Sequence, residues 1–247
     1  MQIYNKNCLE GLKDLSANSV DFVFCDLPYN CTKCKWDKDV LDLDELSKQL
    51  WRVAKPECPI IFTAKFKFAI NIVNAFGIKN FRYDMVFCKN RATNFLNAKK
   101  MPKFSHENVL VFYKKLPKIY NKNILKYHKI TYRSKNKNVN KYKNQYLGNI
   151  GKKINNTIYE PLLPDTLLKY SIHNVGNSNS TQKPLELLEW FLKYYTDESF
   201  TVLDPTMGSG TTGVACKNMK RKFIGFELDE EQFNKAKERI EKTPEPN

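Results

Sequence analysis

The chain has 247 residues and carries 41 Lys and Arg against 26 Asp and Glu, a net charge of +15. That length accommodates one large core, or one core with an inserted lobe, while no stretch approaches the roughly 18 uncharged apolar residues of a membrane span and the first residues lack an apolar core of signal-peptide length. The seven cysteines are odd in number and scattered between Cys8 and Cys216, which excludes a disulfide framework and points to a reducing, cytoplasmic setting with no membrane partner.

In chain order, the first apolar run is Val20-Asp21-Phe22-Val23-Phe24-Cys25, short and ended by Asp26, as a buried parallel strand is. Residues 44–55 have helical spacing through Leu46, Leu50 and Val53. Pro59-Ile60-Ile61-Phe62-Thr63 is a second strand, and residues 65–76 are a second helix through Phe68, Ile72 and Val73. Two further strands are predicted at 83–88 and 108–113, separated by a basic loop, 89–104, too long for a tight hairpin. Cys31-Thr32-Lys33-Cys34 has the spacing of half a zinc site, but no second Cys/His pair accompanies it, so no metal is assigned.

Residues 114–172 are rich in Lys, Asn and Tyr and show little sustained periodicity, and they read as an inserted lobe. From 108 to 159 there are thirteen Lys and Arg and no Asp or Glu, close to the whole charge excess. A carboxylate-free block of this kind is a footprint for a polyanion. The interleaved Tyr113, Tyr120, Tyr127, Tyr132, Tyr142 and Tyr146 favour nucleic acid over lipid, since rings stack on bases and hydroxyls reach phosphates. Lys89, Arg91, Arg133, Lys135, Lys137, Lys141 and Lys143 are the candidate DNA-binding residues.

Regular structure resumes at Pro184, a helix start followed by Leu185, Leu188, Phe191, Leu192 and Tyr195 on one face. The strand from Phe200 to Leu203 then runs into Asp204-Pro205-Thr206-Met207-Gly208-Ser209-Gly210-Thr211-Thr212-Gly213. Carboxylate, glycine-rich turn and helix start form a cradle for a nucleotide cofactor: the glycines admit a tight turn, and the helix N-terminus offers N–H groups. Glu227 ends the next apolar run, 222–226, where it can accept hydrogen bonds from ribose hydroxyls, and residues 229–242 form a last charged helix. Gly208-x-Gly210-x-x-Gly213 also fits a dinucleotide fingerprint, but that fold continues through several more strands, whereas only twenty residues follow Glu227. The fold class is therefore α/β, with helices on both faces of a sheet whose remaining strands lie upstream.

Asp26-Leu27-Pro28-Tyr29 follows the first strand at its carboxyl end, where open α/β sheets keep their ligand crevice. An Asp/Asn/Ser-x-Pro-aromatic tetrapeptide followed later by a glycine cofactor loop resembles the S-adenosylmethionine-dependent DNA amino-methyltransferases, in the permuted group whose catalytic motif precedes the cofactor motif. Further residues extend the resemblance over most of the chain. Asn5-Lys6-Asn7-Cys8-Leu9-Glu10-Gly11-Leu12 looks like the family's opening strand and turn, His106-Glu107 is similar to its next landmark, and Thr181-Gln182-Lys183-Pro184 matches its cofactor-binding helix start. The resemblance implies a Rossmann-like methyltransferase sheet divided into a catalytic half, 1–113, a basic target-recognition lobe, 114–172, and a cofactor-binding half, 173–247.

By the same resemblance, Asp26, Leu27, Pro28 and Tyr29 are catalytic. The cofactor falls to Asn7, Cys8, Asp26, Thr181, Gln182, Lys183, Pro184, Asp204, Pro205, Thr206, Gly208, Ser209, Gly210, Thr211, Thr212, Glu227 and Leu228. Asn7, Leu27 and Thr206 depart from the family's usual Asp, Pro and aromatic residue, yet an Asn oxygen still accepts a hydrogen bond and Leu27 still supplies a carbonyl. The exocyclic amino group of adenine or cytosine is a poor nucleophile because its lone pair is delocalised. Two acceptors on its N–H bonds, Asp26 and the Leu27 carbonyl, favour a tetrahedral nitrogen, and Tyr29 stacks on the flipped base. An acidic first residue resembles the adenine N6 members. Cytosine N4 methylation, RNA methylation and a non-catalytic DNA-binding protein are the alternatives. The expected partners are double-stranded DNA, a second copy of the chain and a cognate restriction endonuclease.

Overall fold

The computed structural model describes residues 1–28, 41–132, 157–171 and 182–245, without the side chains of residues 91, 130–132 and 157–159. Its strands and helices alternate as β1 (Gln2–Asn5), α1 (Cys8–Asp14), β2 (Phe22–Cys25), α2 (Leu43–Val53), β3 (Ile60–Ala64), α3 (Phe66–Phe76), β4 (Phe81–Thr93) and β5 (Phe104–Phe112). They continue as α4 (Lys118–Tyr127), β6 (Lys129–Tyr132), β7 (Thr157–Glu160), β8 (Leu167–Tyr170), α5 (Leu185–Tyr195), β9 (Thr201–Asp204), α6 (Thr211–Asn218), β10 (Lys222–Glu227) and α7 (Glu230–Lys242). Eight strands form one sheet in the order β1-β10-β9-β2-β3-β5-β4-β8, and β6 pairs with β7 in a separate ribbon. Within the large sheet only β5 runs against the others.

Alternation along β2 explains why its sequence reads as one unbroken apolar run. Phe22 and Phe24 face Leu188, Phe191 and Tyr195 of α5, while Val23 and Cys25 face Leu12 of α1, Leu46 and Leu50 of α2, and Phe76 of α3. A strand buried on both faces has no polar positions to alternate with. The sheet is therefore the middle layer between two helical layers, α1–α3 on one face and α4–α7 on the other. Side-chain caps fix the starts of α2 and α7 among others: Asp42 accepts from the N–H of Asp44 and Glu45 at 3.0 Å, and Asp229 accepts from the N–H of Gln232 at 2.8 Å.

The expected strands and helices are present, with three differences. β4 and β5 run longer than 83–88 and 108–113, so the basic connection between them shrinks to residues 94–103. The 114–172 stretch holds more regular structure than its composition suggested: α4 packs on α5, with the Asn123 amide donating to the carbonyls of Lys193 at 3.0 Å and Thr196 at 2.9 Å, and β8 adds an edge strand beside β4. The third difference concerns tyrosines read as base-stacking groups. Tyr120 stands 5.0 Å from Tyr195 and Tyr127 6.2 Å from Tyr194, ring centre to ring centre, and both pack with Tyr113 against the core. Burying a large ring against neighbouring rings outweighs leaving it on a solvated face. Tyr142 and Tyr146 lie outside the described residues. Among the described residues no helix is long and apolar enough to cross a membrane.

Candidate active site

β2 and β9 are adjacent and parallel, and the chain leaves them in opposite directions across the sheet, through β3 on one side and β10 on the other. That makes the gap beyond their carboxyl ends a topological switch point, where ligand crevices form. Asp26 follows β2, and Asp204 ends β9. The Thr206 hydroxyl donates to the Asp26 carbonyl at 3.2 Å, tying the glycine loop to the end of β2.

The Asp26 carboxylate is held from two sides. Thr63, near the end of β3, donates to Oδ1 at 2.6 Å, and the Lys183 ammonium, just before α5, donates to Oδ2 at 2.6 Å. Lys183 also lies 3.2 Å from Oε2 of Glu107 on β5, whose other oxygen pairs with Lys89 on β4. The resulting chain Asp26–Lys183–Glu107–Lys89 alternates in sign, and Glu107 and Lys183 side chains are only 6% and 9% exposed. Burial pulls the Lys183 ammonium down, but Asp26 and Glu107 outweigh it and hold the group above its ordinary range. Burial likewise pushes the Glu107 carboxyl up, and Lys183 and Lys89 outweigh it and hold it below its ordinary range. Both groups are charged at neutral pH, so the chain presents Asp26 to the crevice as a fixed acceptor. A carboxylate oxygen can accept more than one hydrogen bond.

On the other side of the crevice, Gly208 (φ +50) and Gly210 (φ +75) take the left-handed backbone that the turn requires. Among the described residues, a Cβ at Gly208 would meet nothing within 4 Å, whereas at Gly210 it would press on Ala236 and Ile240 of α7 at 3.1 Å. Glu227 faces the loop: Oε2 accepts from the Gly208 N–H at 3.0 Å and Oε1 from the Asp229 N–H at 2.9 Å. Leu228 beside it is exposed. Asn7 caps α1, its Oδ1 accepting from the Leu9 N–H at 2.9 Å. Cys8 is buried, and that burial pushes its thiol up to about 11.

Asp204 accepts from the Thr206 N–H at 3.1 Å and from the Thr212 hydroxyl at 2.5 Å, fixing both ends of the loop. Burial raises its pKa from 3.8 to about 7. A carboxyl whose folded pKa lies above its unfolded one binds more protons in the folded state, so its contribution to stability falls as pH rises between those values. Between pH 4 and 7, the stability of Asp204→Asn relative to the parent should therefore rise with pH, as followed by urea unfolding at several pH values. A difference that stays flat would contradict the burial assigned to Asp204.

The structure brings Asp26, Leu27, Pro28, Gln182, Lys183, Pro184, Asp204 to Thr212 and Glu227 to the sheet edge that the sequence assigned them. Tyr29, Thr181, Arg133, Lys135, Lys137, Lys141 and Lys143 lie outside the described residues, as do Cys31 and Cys34. Arg91 is placed on β4, with its side chain undescribed. Lys89 corrects its expected role as a phosphate contact, because it turns inward onto Glu107 and is 11% exposed. Three participants had no sequence signal: Thr63, Glu107 as an ion-pair partner, and Arg239 of α7. Arg239 donates to the Ser209 carbonyl at 2.9 Å and the Thr211 hydroxyl at 3.0 Å, and Gln182 accepts from it at 2.9 Å once its amide is oriented to satisfy both groups. A cavity of about 270 Å³ opens near α4 and α5, lined by Tyr83, Met85, Tyr120, Trp190 and Tyr195, none of which belongs to the crevice.

The N6/N4 DNA methylase family model matches residues 20–238. The chain is 27% identical to the Type II methyltransferase M.BglII of Bacillus subtilis, an alignment covering 100% of the chain and 70% of that protein. It is 26% identical to the Type II methyltransferase M.HpaI of Haemophilus parainfluenzae, over 95% of the chain and 72% of that protein. The crystal structure of the M1.HpyAVI–SAM complex superposes with a TM-score of 0.63 at 26% identity, covering 97% of the chain and 98% of that structure.

Proposed function

Because the chain belongs to the N6/N4 DNA methylase family, we propose that it moves the methyl group of S-adenosylmethionine to the N6 amino group of an adenine flipped out of double-stranded DNA. The observation that carries this reading is the Asp26 carboxylate, held at 2.6 Å by Thr63 and by Lys183 at the mouth of the crevice and tied through Thr206 to the glycine loop. The choice of adenine over cytosine rests on the resemblance, in which an acidic first residue of the tetrapeptide is similar to the adenine-modifying members.

Within this reading, Asp26 and the Leu27 carbonyl accept the two N–H bonds of the target amino group. Its nitrogen becomes more tetrahedral and its lone pair concentrates, the Asp26 carboxylate stabilises the positive charge that develops on the nitrogen, and one N–H proton is given up as the methyl group takes its place. Lys183 and Thr63 hold Asp26 in place beforehand, so little reorganisation is needed at the moment of transfer. The bound cofactor supplies an electrophilic methyl group. The left-handed turn at Gly208, with no described residue within 4 Å of a Cβ placed there, and the Glu227 carboxylate suit its ribose and methionyl parts, and the exposed Leu228 offers an apolar face for its purine.

Glu227→Ala should weaken S-adenosylmethionine binding by roughly 1.5–3 kcal/mol, the range for hydrogen bonds to a charged group. Calorimetry would show it as at least about a tenfold rise in Kd; unchanged affinity would move the ribose elsewhere. For the DNA-binding surface we assign the 114–172 segment as the target-recognition lobe between the 1–113 and 173–247 halves. Replacing Lys135, Lys137, Lys141 and Lys143 by Gln should reduce the magnitude of the log–log salt slope of duplex binding by about 0.9 for each phosphate that is no longer neutralised. An unaltered slope would place the DNA elsewhere. A second copy of the chain and a cognate restriction endonuclease are the further partners proposed. The reaction itself is tested with radiolabelled S-adenosylmethionine: label should enter duplex DNA, and label found in RNA instead would favour an RNA methyltransferase.

A further inference from the structure

The connection from β4 to β5, residues 94–103, leaves the sheet at the same edge as Asp26, since β4 ends there and β5 begins there. It is a braced tip. Asn94 takes the left-handed backbone (φ 70, ψ 37), and its Oδ1 accepts from the Asn97 amide at 2.7 Å. The N–H groups of Ala98 and Met101 donate at 3.0 Å to the carbonyls of Phe95 and Asn97. At its base Phe104 pairs with Thr93, and the Lys65 ammonium lies 5.5 Å from the Phe104 ring centre.

On this braced turn the two most apolar side chains point to solvent: Phe95 is 78% and Leu96 96% exposed. Single exposed apolar residues are ordinary, but these are adjacent and lie beside the exposed Lys99, Lys100 and Lys103, with no Asp or Glu anywhere from 85 to 106. An apolar point ringed by cations matches a surface with an apolar interior between rows of anions, which is the base stack of a duplex between its phosphates. Glu107, in the ion-pair chain of Asp26, lies three residues along β5 from Phe104, roughly 10 Å of strand. The tip therefore lies past the end of β5 that carries Glu107, at the same edge of the sheet as Asp26.

Resting on the methyltransferase reading above, we propose that this tip is a wedge: Leu96 and Phe95 enter the base stack beside the target base, while Lys99, Lys100 and Lys103 hold the flanking phosphates. Extruding a base leaves an apolar gap and breaks its pairing, and side chains that fill the gap offset that cost. Where the pairing is already absent, the wedge has little left to do.

The test uses two duplexes containing the recognition sequence read from methylated plasmid DNA, one with the target base paired and one with it opposite an abasic site. In Phe95→Ala/Leu96→Ala, methyl transfer to the paired duplex should fall by about tenfold or more, whereas transfer to the abasic duplex should stay within about twofold of the parent. 2-Aminopurine at the target should brighten on binding the parent protein and remain dim with the variant. Leu96→Gln repeats the comparison with a smaller change at the tip, and Ile78→Ala, exposed at the opposite edge, should alter neither rate. Equal losses on both duplexes, or no loss on either, would overturn the wedge. So would a change in oligomeric state on substitution, which would make the tip an interface between copies. If the parent protein methylates neither duplex, the methyltransferase reading itself fails, and the wedge with it.

Discussion

Asp26→Ala is expected to abolish methyl transfer, with a loss on the order of a hundredfold to a thousandfold in rate, while cofactor and DNA binding stay close to those of the parent protein. The size follows from removing one pre-positioned acceptor aimed at developing charge. The split between rate and binding follows because that charge exists only in the transition state. The fold should tolerate the change, since Lys183 keeps Glu107 as a partner at 3.2 Å. Single-turnover rates and calorimetric Kd values measured on the same preparation separate the two effects. Near-full turnover by the variant would remove Asp26 from the chemistry.

A different kind of loss is expected for Lys183→Met. Methionine fills a similar volume but leaves two carboxylates, Asp26 and Glu107, facing the site of a cation that lay 2.6 and 3.2 Å from them. Breaking a buried pair by deleting one member typically costs about 3–5 kcal/mol, because the charge left behind is uncompensated. Urea unfolding should report a destabilisation of that order, together with slower methyl transfer as Asp26 loses its fixed orientation. Adding Asp26→Asn to Lys183→Met should recover part of the stability by neutralising the carboxylate that faced the lost cation at 2.6 Å, whereas Glu107 keeps Lys89 as its partner. Stability equal to the parent in the single variant would mean that the buried chain of charges contributes nothing to the fold.

The parts of this architecture that were legible in the sequence are those encoded locally. Residues 20–25 read as a strand because both faces of β2 are buried, and the glycine loop read as a cradle because Gly208 and Gly210 need left-handed backbone next to a helix start. Asp229 and Pro184 marked the starts of α7 and α5 by the same local logic. The Asp26–Lys183–Glu107–Lys89 chain was not legible: its members come from four separate elements, and a charged residue carries no sign in sequence that its partner lies on another strand. Lys89 was therefore read as a surface cation. Tyr120 and Tyr127 were misread for a related reason, since a Lys- and Asn-rich stretch gives α4 weak periodicity while tertiary packing against Tyr194 and Tyr195 decides where the rings go. Arg239 lay hidden among the charges of α7, although it braces the glycine loop.

Nucleoside mass spectrometry of duplex DNA after incubation with the purified protein and S-adenosylmethionine, with the Asp26→Ala variant run alongside, tests the proposed adenine methylation most directly. N6-methyladenine is expected from the parent protein, and at least about a hundredfold less of it from the variant over the same time. N4-methylcytosine in its place would contradict the assignment of the base, and the absence of any methylated nucleoside would contradict the assignment of the reaction.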